Sequence, residues 1–297
     1  MVKLYGAGTL YHGPKSIESL KTITGTRAVI VTGHSSTREN GSLQRVCDML
    51  QEKGWVCDVF SGVEPDPSID TVRKGAAFMQ EKQPDWIIGL GGTSSIDAAK
   101  AMWVLYEHPE LPFETMIKPF AIPALRNKAR FVAIPTTSGT GTETTSLAVI
   151  TDRLKGVKYP IASHELQPDL AIVDGDLCQS MPADVTANTG MDALTHCIEA
   201  YVSNVEDNYA DAFAKGGIQL IFANLKNAVE NPDNLAYRQN MHDASALAGY
   251  AFTNSWLGIV HSMAHQMGAI FGIPHGRANA LALPNVMRYN AKATDRF

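Results

Sequence analysis

A carboxylate and several histidines near the end of the sequence have types and spacings that could hold a metal ion. Gly190 to Tyr201 reads GMDALTHCIEAY. Asp192 and His196 are four apart, so on a helix both project from one face. Gly258 to Asn279 reads GIVHSMAHQMGAIFGIPHGRAN, with His261 and His265 again four apart and His275 fourteen residues after His261. The spacing predicts a helix over Gly258–Phe271, and Pro274 and Gly276 predict a loop carrying His275. The neighbouring residues are small and apolar. Burial among them without partners would cost an Asp or His roughly a few kcal/mol, and a divalent cation would satisfy several at once. One carboxylate with three or four imidazoles suits Fe(II), Zn(II) or a similar borderline ion better than Mg(II) or Ca(II), which prefer oxygen. Any one of these histidines alone could equally be a hydrogen-bonded structural residue. The grouping of Asp192, His196, His261 and His275 favours the metal. His12, His34, His108, His164 and His242 share no such pattern and read as structural, with His34 set apart only by following a strand.

Two further stretches could meet phosphates. Ile87 to Lys100 reads IIGLGGTSSIDAAK, an apolar strand ending in Gly89, Gly91 and Gly92 before a helix expected from Ser94–Ser95. Such a turn lets backbone N–H groups approach a pyrophosphate at the positive end of the helix. The spacing is not GxGxxG, and a tight turn that needs glycine only for positive φ reads equally well. Ile134 to Thr145, IPTTSGTGTETT, also follows a strand and is dense in hydroxyls. In an open parallel sheet that position lies at the carboxyl edge, where ligands bind. Two such loops in one α/β domain favour nucleotide binding over plain connecting loops.

The elements that must position these residues follow from the apolar pattern. Arg27–Gly33, Trp55–Phe60, Trp86–Leu90, Phe131–Ile134 and Leu170–Val173 read as buried strands. Gly41–Lys53 and Ile69–Gln83 between them carry helical spacing, and the alternation predicts a parallel sheet with helices on both faces. From Ala183 onward β-branched runs give way to Ala, Leu and Met at helical spacing through Thr186–Tyr201, Asn208–Asn224, Leu235–Ala251 and Gly258–Phe271. A domain boundary is therefore expected near 178–184, drawn at 181/182. The net charge of -5 gives no reason to expect nucleic acid or an anionic membrane. No stretch approaches the ~20 apolar residues of a membrane span, and Met1–Leu10 lacks a signal-peptide core. Cys47, Cys57, Cys178 and Cys197 form no CxxC pair and read as free thiols of a cytoplasmic protein.

Taken together, these motifs resemble the iron-containing (group III) alcohol dehydrogenases. The likeness runs from VTGHSS at 31–36 to ALPNVMRYN at 282–290 and is most specific at 258–286, GIVHSMAHQMGAIFGIPHGRANALALPNV. The resemblance implies an N-terminal Rossmann-like, parallel-sheet dinucleotide domain (1–181). It also implies a C-terminal all-helical metal-binding domain (182–297), with the site in the cleft between them. It implies Asp192, His196, His261 and His275 as metal ligands and His265 as a neighbour of the metal. Gly91, Gly92, Thr93 and Ser94 would hold the pyrophosphate, with Thr93 where a third glycine is common. Thr136, Thr137 and Ser138 would face the nicotinamide half, Lys158 would lie near the nicotinamide ribose, and Asp97 would open the helix after the turn. The implied reaction passes a hydride between NAD or NADP and a small primary alcohol or diol. The metal, Fe2+ or Zn2+, acts as a Lewis acid, and His265 relays the alcohol proton.

Two departures from the family pattern bear on these expectations. Gly33 stands where an acidic residue would bind the adenosine ribose and repel a 2′-phosphate, and Ser35, Ser36 and Arg38 are nearby, so NADP is expected. Family members continue through several further helices beyond the equivalent of Phe297, so the second domain is expected to be incomplete, with apolar surface uncovered. Dehydroquinate synthase-like lyases share the architecture but need several basic residues for their charged substrate. Here only Arg277 lies near the metal motifs. A 4-hydroxybutyrate or glycerol dehydrogenase-like enzyme, or a nucleotide-binding protein without turnover, are the alternatives. The expected assembly is a homodimer, the commonest state of soluble oligomers.

Overall fold

The computed structural model describes residues 3–294 and 296. Its strands are β1 (Thr9–His12), β2 (Arg27–Val31), β3 (Val56–Phe60), β4 (Trp86–Gly91), β5 (Arg130–Pro135), β6 (Leu147–Asp152), β7 (Val157–Ala162) and β8 (Leu170–Val173). Its helices are α1 (Ser36–Glu39), α2 (Ser42–Glu52), α3 (Ile69–Lys82), α4 (Thr93–Glu107), α5 (Phe113–Met116), α6 (Ala183–Tyr201), α7 (Asn208–Glu230), α8 (Leu235–Ser255), α9 (Ile259–Phe271) and α10 (His275–Asn290). Two compact units result. One comprises Gly6–Thr136 and Thr142–Leu177; the other comprises Thr137–Gly141 and the chain from Cys178 onward, joined by the described residues before Gly6.

The first unit holds a six-stranded sheet in the order β1-β8-β5-β4-β2-β3, with every pair parallel. Its strands are continuous apolar runs because both faces are covered. Val29, Val31, Ile87 and Phe131 point into a core shared with α3 and α4, through Val72, Met79, Ile96, Met102 and Trp103. Ala28, Ile30, Ile88 and Val132 point the other way, onto α2 and a 3₁₀ segment, Ser16–Thr22, that supplies Ile17 and Leu20. From β2 the chain steps to β3 on one side and then crosses to β4 on the other. That reversal opens a crevice at the carboxyl ends of β2 and β4, the usual ligand position in such sheets.

Several elements were absent from the sequence reading, among them β1, β6, β7 and α10. β1 adds an edge strand beside β8, β6 and β7 form an antiparallel pair, and α10 occupies 275–290. The predicted Pro274–Gly276 loop is thereby corrected, since Pro274 is the N-cap and His275 the first residue of α10. Proline favours helix starts because its missing N–H would have no partner there. Gly276 is required because a Cβ at that position would sit 1.8 Å from the Asn188 carbonyl oxygen of α6.

Asp97 also differs from the expectation drawn for it. α4 begins at Thr93 with Gly92 as N-cap, so Asp97 lies in the second turn and does not open the helix. Its buried carboxylate instead accepts the Thr142 hydroxyl at 2.7 Å and the Val149 N–H at 2.9 Å. One turn on, fully buried Lys100 donates to the carbonyls of Thr142, Thr145 and Leu147 at 2.7, 2.9 and 3.0 Å. An ammonium has three protons, and three carbonyls receive them. Burial lowers the Lys100 pKa to about 8, against the attraction of Asp97 and Glu143. The segment after Thr142 is thus fastened to α4 by charge.

The second unit is helical. α6, α7 and α8 pack on one another, and α10 packs on both α6 and α9. Val260, Ala282, Leu283 and Val286 form a small core of α9 and α10 against Ile198 of α6. Ile270 and Phe271 of α9 remain 68% and 71% exposed. Lys100→Met should remove about 3–5 kcal/mol of stability, because it leaves the buried Asp97 carboxyl without its partner and three carbonyls unsatisfied. Urea unfolding followed by circular dichroism measures this; a loss under about 1 kcal/mol, the ordinary effect of a substitution, would contradict the role given to Lys100.

Candidate metal centre

Asp192, His196 and Glu199 recur at i, i+4 and i+7 on α6, one stripe of a helix with 3.6 residues per turn. All three are buried. The core between α6, α9 and α10 brings His261 and His275 to the same stripe. Asp192 Oδ1 lies 3.5 Å from His261 Nε2, 3.4 Å from His275 Nε2 and 3.7 Å from His196 Nδ1. Ligand atoms of Asp192, His261 and His275 all fall within 4.8 Å of one another. His196 stands beside this group, its ring 4.2 Å from that of His261 and stacked on Phe252 at 4.6 Å. His265 is exposed, and its ring stacks on His275 at 5.2 Å.

The donor set fits a divalent cation. Asn279 Nδ2 already stands among three of its atoms, 2.6 Å from Asp192 Oδ1, 3.4 Å from His261 Nε2 and 3.3 Å from His275 Nε2. A partial positive charge is thus received where a full one would be. Two buried atoms beside it, His196 Nδ1 and Asn279 Oδ1, have no hydrogen-bond partner among the described residues. Burial alone would raise the Asp192 pKa, but His196, His275 and His261 hold it well below the usual carboxylate range. Burial pushes His196 down to about 3, so its ring is neutral and able to donate a lone pair. For His261 burial also lowers the pKa, yet hydrogen bonds to Asp192 and Glu199 raise it to about 9. A proton on His261 therefore supplies the positive charge that Asp192 requires.

The nucleotide-binding candidates are arranged around the sheet crevice. Gly91 has φ 137°, outside the range L side chains favour, and a Cβ there would lie 2.9 Å from the Ser95 hydroxyl. Gly92, Thr93 and Ser94 follow as the N-cap and first residues of α4. β4 and β5 pair Gly91 with Pro135, and Thr136 N–H donates to the Gly91 carbonyl at 2.9 Å. This brings the start of the hydroxyl loop beside the glycine turn. Gly33 lies just past β2, where a Cβ would meet Ser95 and Val63 at ordinary distances of 3.6 and 3.7 Å. His34 and Arg38 are exposed nearby, and Arg38 donates to Ser61 at 3.2 Å. Lys158, on β7, pairs with Asp66 at 2.7 Å, and the Asp66 N–H donates to Ser94.

Thr137 and Ser138 belong to the helical unit. Thr137 is half-buried, whereas Ser138 is buried with its hydroxyl 3.0 Å from His242 Nδ1. A Cβ on Gly139 would lie 2.7 Å from Thr189, one turn before Asp192. The loop is therefore seated on α6 and α8, the former carrying the candidate ligands Asp192 and His196. Sequence reasoning set His242 aside and did not single out Glu199 or Asn279. The i+7 spacing of Glu199 from Asp192 was a usable signal; nothing in the sequence marks His242.

Comparison with known proteins agrees with this geometry. Residues 5–175 match the model of the iron-containing alcohol dehydrogenases, and residues 186–296 match that of the C-terminal region of the Fe-containing alcohol dehydrogenase family. The chain belongs to the iron-containing alcohol dehydrogenase family. It is an alcohol dehydrogenase of that NAD(P)-dependent type. It is 49% identical over 285 residues to an NADPH-dependent butanol dehydrogenase of Clostridium saccharobutylicum, covering 96% of this chain and 73% of that one. It is 48% identical over 274 residues to an aldehyde-alcohol dehydrogenase of Streptococcus pneumoniae, covering 89% of this chain but 31% of that longer protein. A solved 1,3-propanediol oxidoreductase superimposes with a TM-score of 0.93 at 37% identity, over 99% of this chain and 77% of that one.

Ligation by His261 through Nε2 requires that nitrogen to lose the proton it holds up to about pH 9. Metal uptake at pH 7.5 should therefore release about one proton, and apparent affinity should rise about tenfold per pH unit up to pH 9. Calorimetric titration of the metal-stripped protein with Zn(II), in two buffers of different ionisation enthalpy, measures this. Uptake with no proton release would contradict the assignment.

Proposed function

We propose that this alcohol dehydrogenase passes a hydride between NAD(P) and a small primary alcohol or diol, using one divalent cation held by Asp192, His196, His261 and His275. The convergence of Asp192 Oδ1, His261 Nε2 and His275 Nε2 within 4.8 Å carries the reading. When bound, such a cation supplies Lewis acidity to the substrate oxygen, and the nicotinamide carries the hydride. The ion is iron by the family's name, with zinc as the alternative that the same nitrogen and oxygen donors accept.

The chain's own residues divide the remaining work. His265 is exposed beside His275 and is proposed to take the alcohol proton and pass it to water. Gly91, Gly92, Thr93 and Ser94 hold the pyrophosphate at the positive end of α4. Thr136, Thr137 and Ser138 form the nicotinamide-side loop, with Ser138 anchored by His242, and Lys158 serves the ribose. The dinucleotide domain is 1–181 and the metal-binding domain 182–297. NADP is the proposed cofactor, supported by glycine at position 33, by the exposed guanidinium of Arg38 and by the relative named as NADPH-dependent. Four thiols support a cytoplasmic setting, and among the described residues no helix is long and apolar enough to cross a membrane. A homodimer is the proposed assembly.

Aldehyde-dependent oxidation of NADPH and of NADH, measured side by side after anaerobic loading with Fe(II) or Zn(II), tests the reaction. Turnover that depends on the metal and favours NADPH is expected; stoichiometric metal without turnover would refute the reading. Gly33→Asp fits the space at that position and should shift selectivity toward NADH by about tenfold or more, since it sets a carboxylate against the 2′-phosphate. His265→Ala should lower kcat roughly 10²-fold or more while retaining the metal. Loss of the metal in that variant would show His265 to be a ligand.

A further inference from the structure

His261 is gripped at both ring nitrogens, and the grip on the far side comes from Glu199, a residue the proposed reaction does not use. Glu199 Oε2 lies 2.5 Å from His261 Nδ1 and also accepts the His261 backbone N–H at 3.3 Å. Its Oε1 accepts the Val260 N–H at 2.6 Å. The carboxylate thus caps the first turn of α9 from α6, satisfying two N–H groups that a helix start leaves without partners. The approach is built into the backbone. Gly258 precedes α9, and a Cβ there would lie 2.7 Å from Glu199 Oε1. Trp256, two residues earlier, holds φ 69°, a left-handed conformation costly for a large side chain. The turn is strained and stripped of a side chain where the carboxylate enters.

We infer that Glu199 is a positioning residue for the metal centre. It fixes the proton of His261 on Nδ1, turns Nε2 toward Asp192, and supplies the second negative charge that a divalent cation needs. The inference rests on the proposed cation site. Three neutral imidazoles and Asp192 would leave a doubly charged ion with one uncompensated positive charge in a buried place. Glu199, 2% exposed and in contact with a ligand ring, completes neutrality. A carboxylate bonded to the outer nitrogen of a ligating histidine fixes its tautomer and raises its basicity, and loss of such a partner costs about 10–100-fold in metal affinity.

The test compares wild type, Glu199→Gln and Gly258→Ala, each stripped of metal, in chelator-competition titrations with Co(II). The visible spectrum of the Co(II) complex and the unfolding temperature of the metal-free protein are recorded in parallel. Gln keeps a carbonyl to cap α9 but removes the charge, and Ala at position 258 displaces the carboxylate without altering it. Both variants are expected to bind Co(II) about 10–100-fold more weakly, with an altered spectrum, while the metal-free Gln variant unfolds close to wild type. Affinity and spectrum unchanged in the folded Gln variant would overturn the inference and leave Glu199 a helix cap only. Wild type that takes up no Co(II) would instead overturn the cation site itself, and the inference with it.

Discussion

A negative charge buried in a helical core organises the second unit of this protein. The Asp192 carboxylate is 3% exposed, and isolated burial of such a charge would cost far more than a single domain can spare. Everything around it supplies positive or polarisable partners. His196 lies one turn along α6, while His261, His275 and Asn279 are carried in by α9 and α10. His261 holds a proton between two carboxylates, Asn279 offers an amide N–H, and His196 contributes a neutral ring. In the proposed site, exchange of that proton for a divalent cation would take the group of Asp192, Glu199 and His261 from one net negative charge to neutrality.

The sheet unit meets a different requirement of the proposed function, close approach to a large anion. Its reversal of strand order between β2 and β4 puts Gly33 and the Gly91–Gly92 turn at one crevice, and α4 points its positive end there. Lys100 and Asp97 hold the segment from Thr142 to Val149 against α4. Ser138, Gly139 and Gly141 fasten the preceding stretch to α6 and α8. The hydroxyls of Ser138 and Thr142 are spent on these anchors, which makes the loop a rigid presenter of backbone and of Thr137.

Much of this was legible in the sequence because its signals are local. Apolar runs marked β2, β4, β5 and β8, and four-residue spacing paired Asp192 with His196 and His261 with His265. Signals that depend on a distant partner were not legible. β6 carries an apolar run, Leu147–Ile150, that was left unassigned, and its partner β7 is interrupted by Lys158 and Pro160, so neither announced the antiparallel pair. α10 was hidden because Pro274 and Gly276 read as loop formers, when one serves as an N-cap and the other admits Asn188. Asp97 looked like a helix-opening residue, but its partners Thr142 and Val149 lie some fifty residues away. Glu199 acts across 62 residues through His261; its i+7 spacing from Asp192 puts it on the same face of α6 but does not name that partner.

Anomalous diffraction from a crystal loaded with iron or zinc, collected at the absorption edge of the metal, tests the central claim most directly. A single peak bounded by Asp192 Oδ1, His196 and the Nε2 atoms of His261 and His275, with the Asn279 amide N–H withdrawn, is the predicted result. A peak elsewhere, or none at that position in fully loaded protein, would contradict the account of Asp192 as the charge around which the site is built.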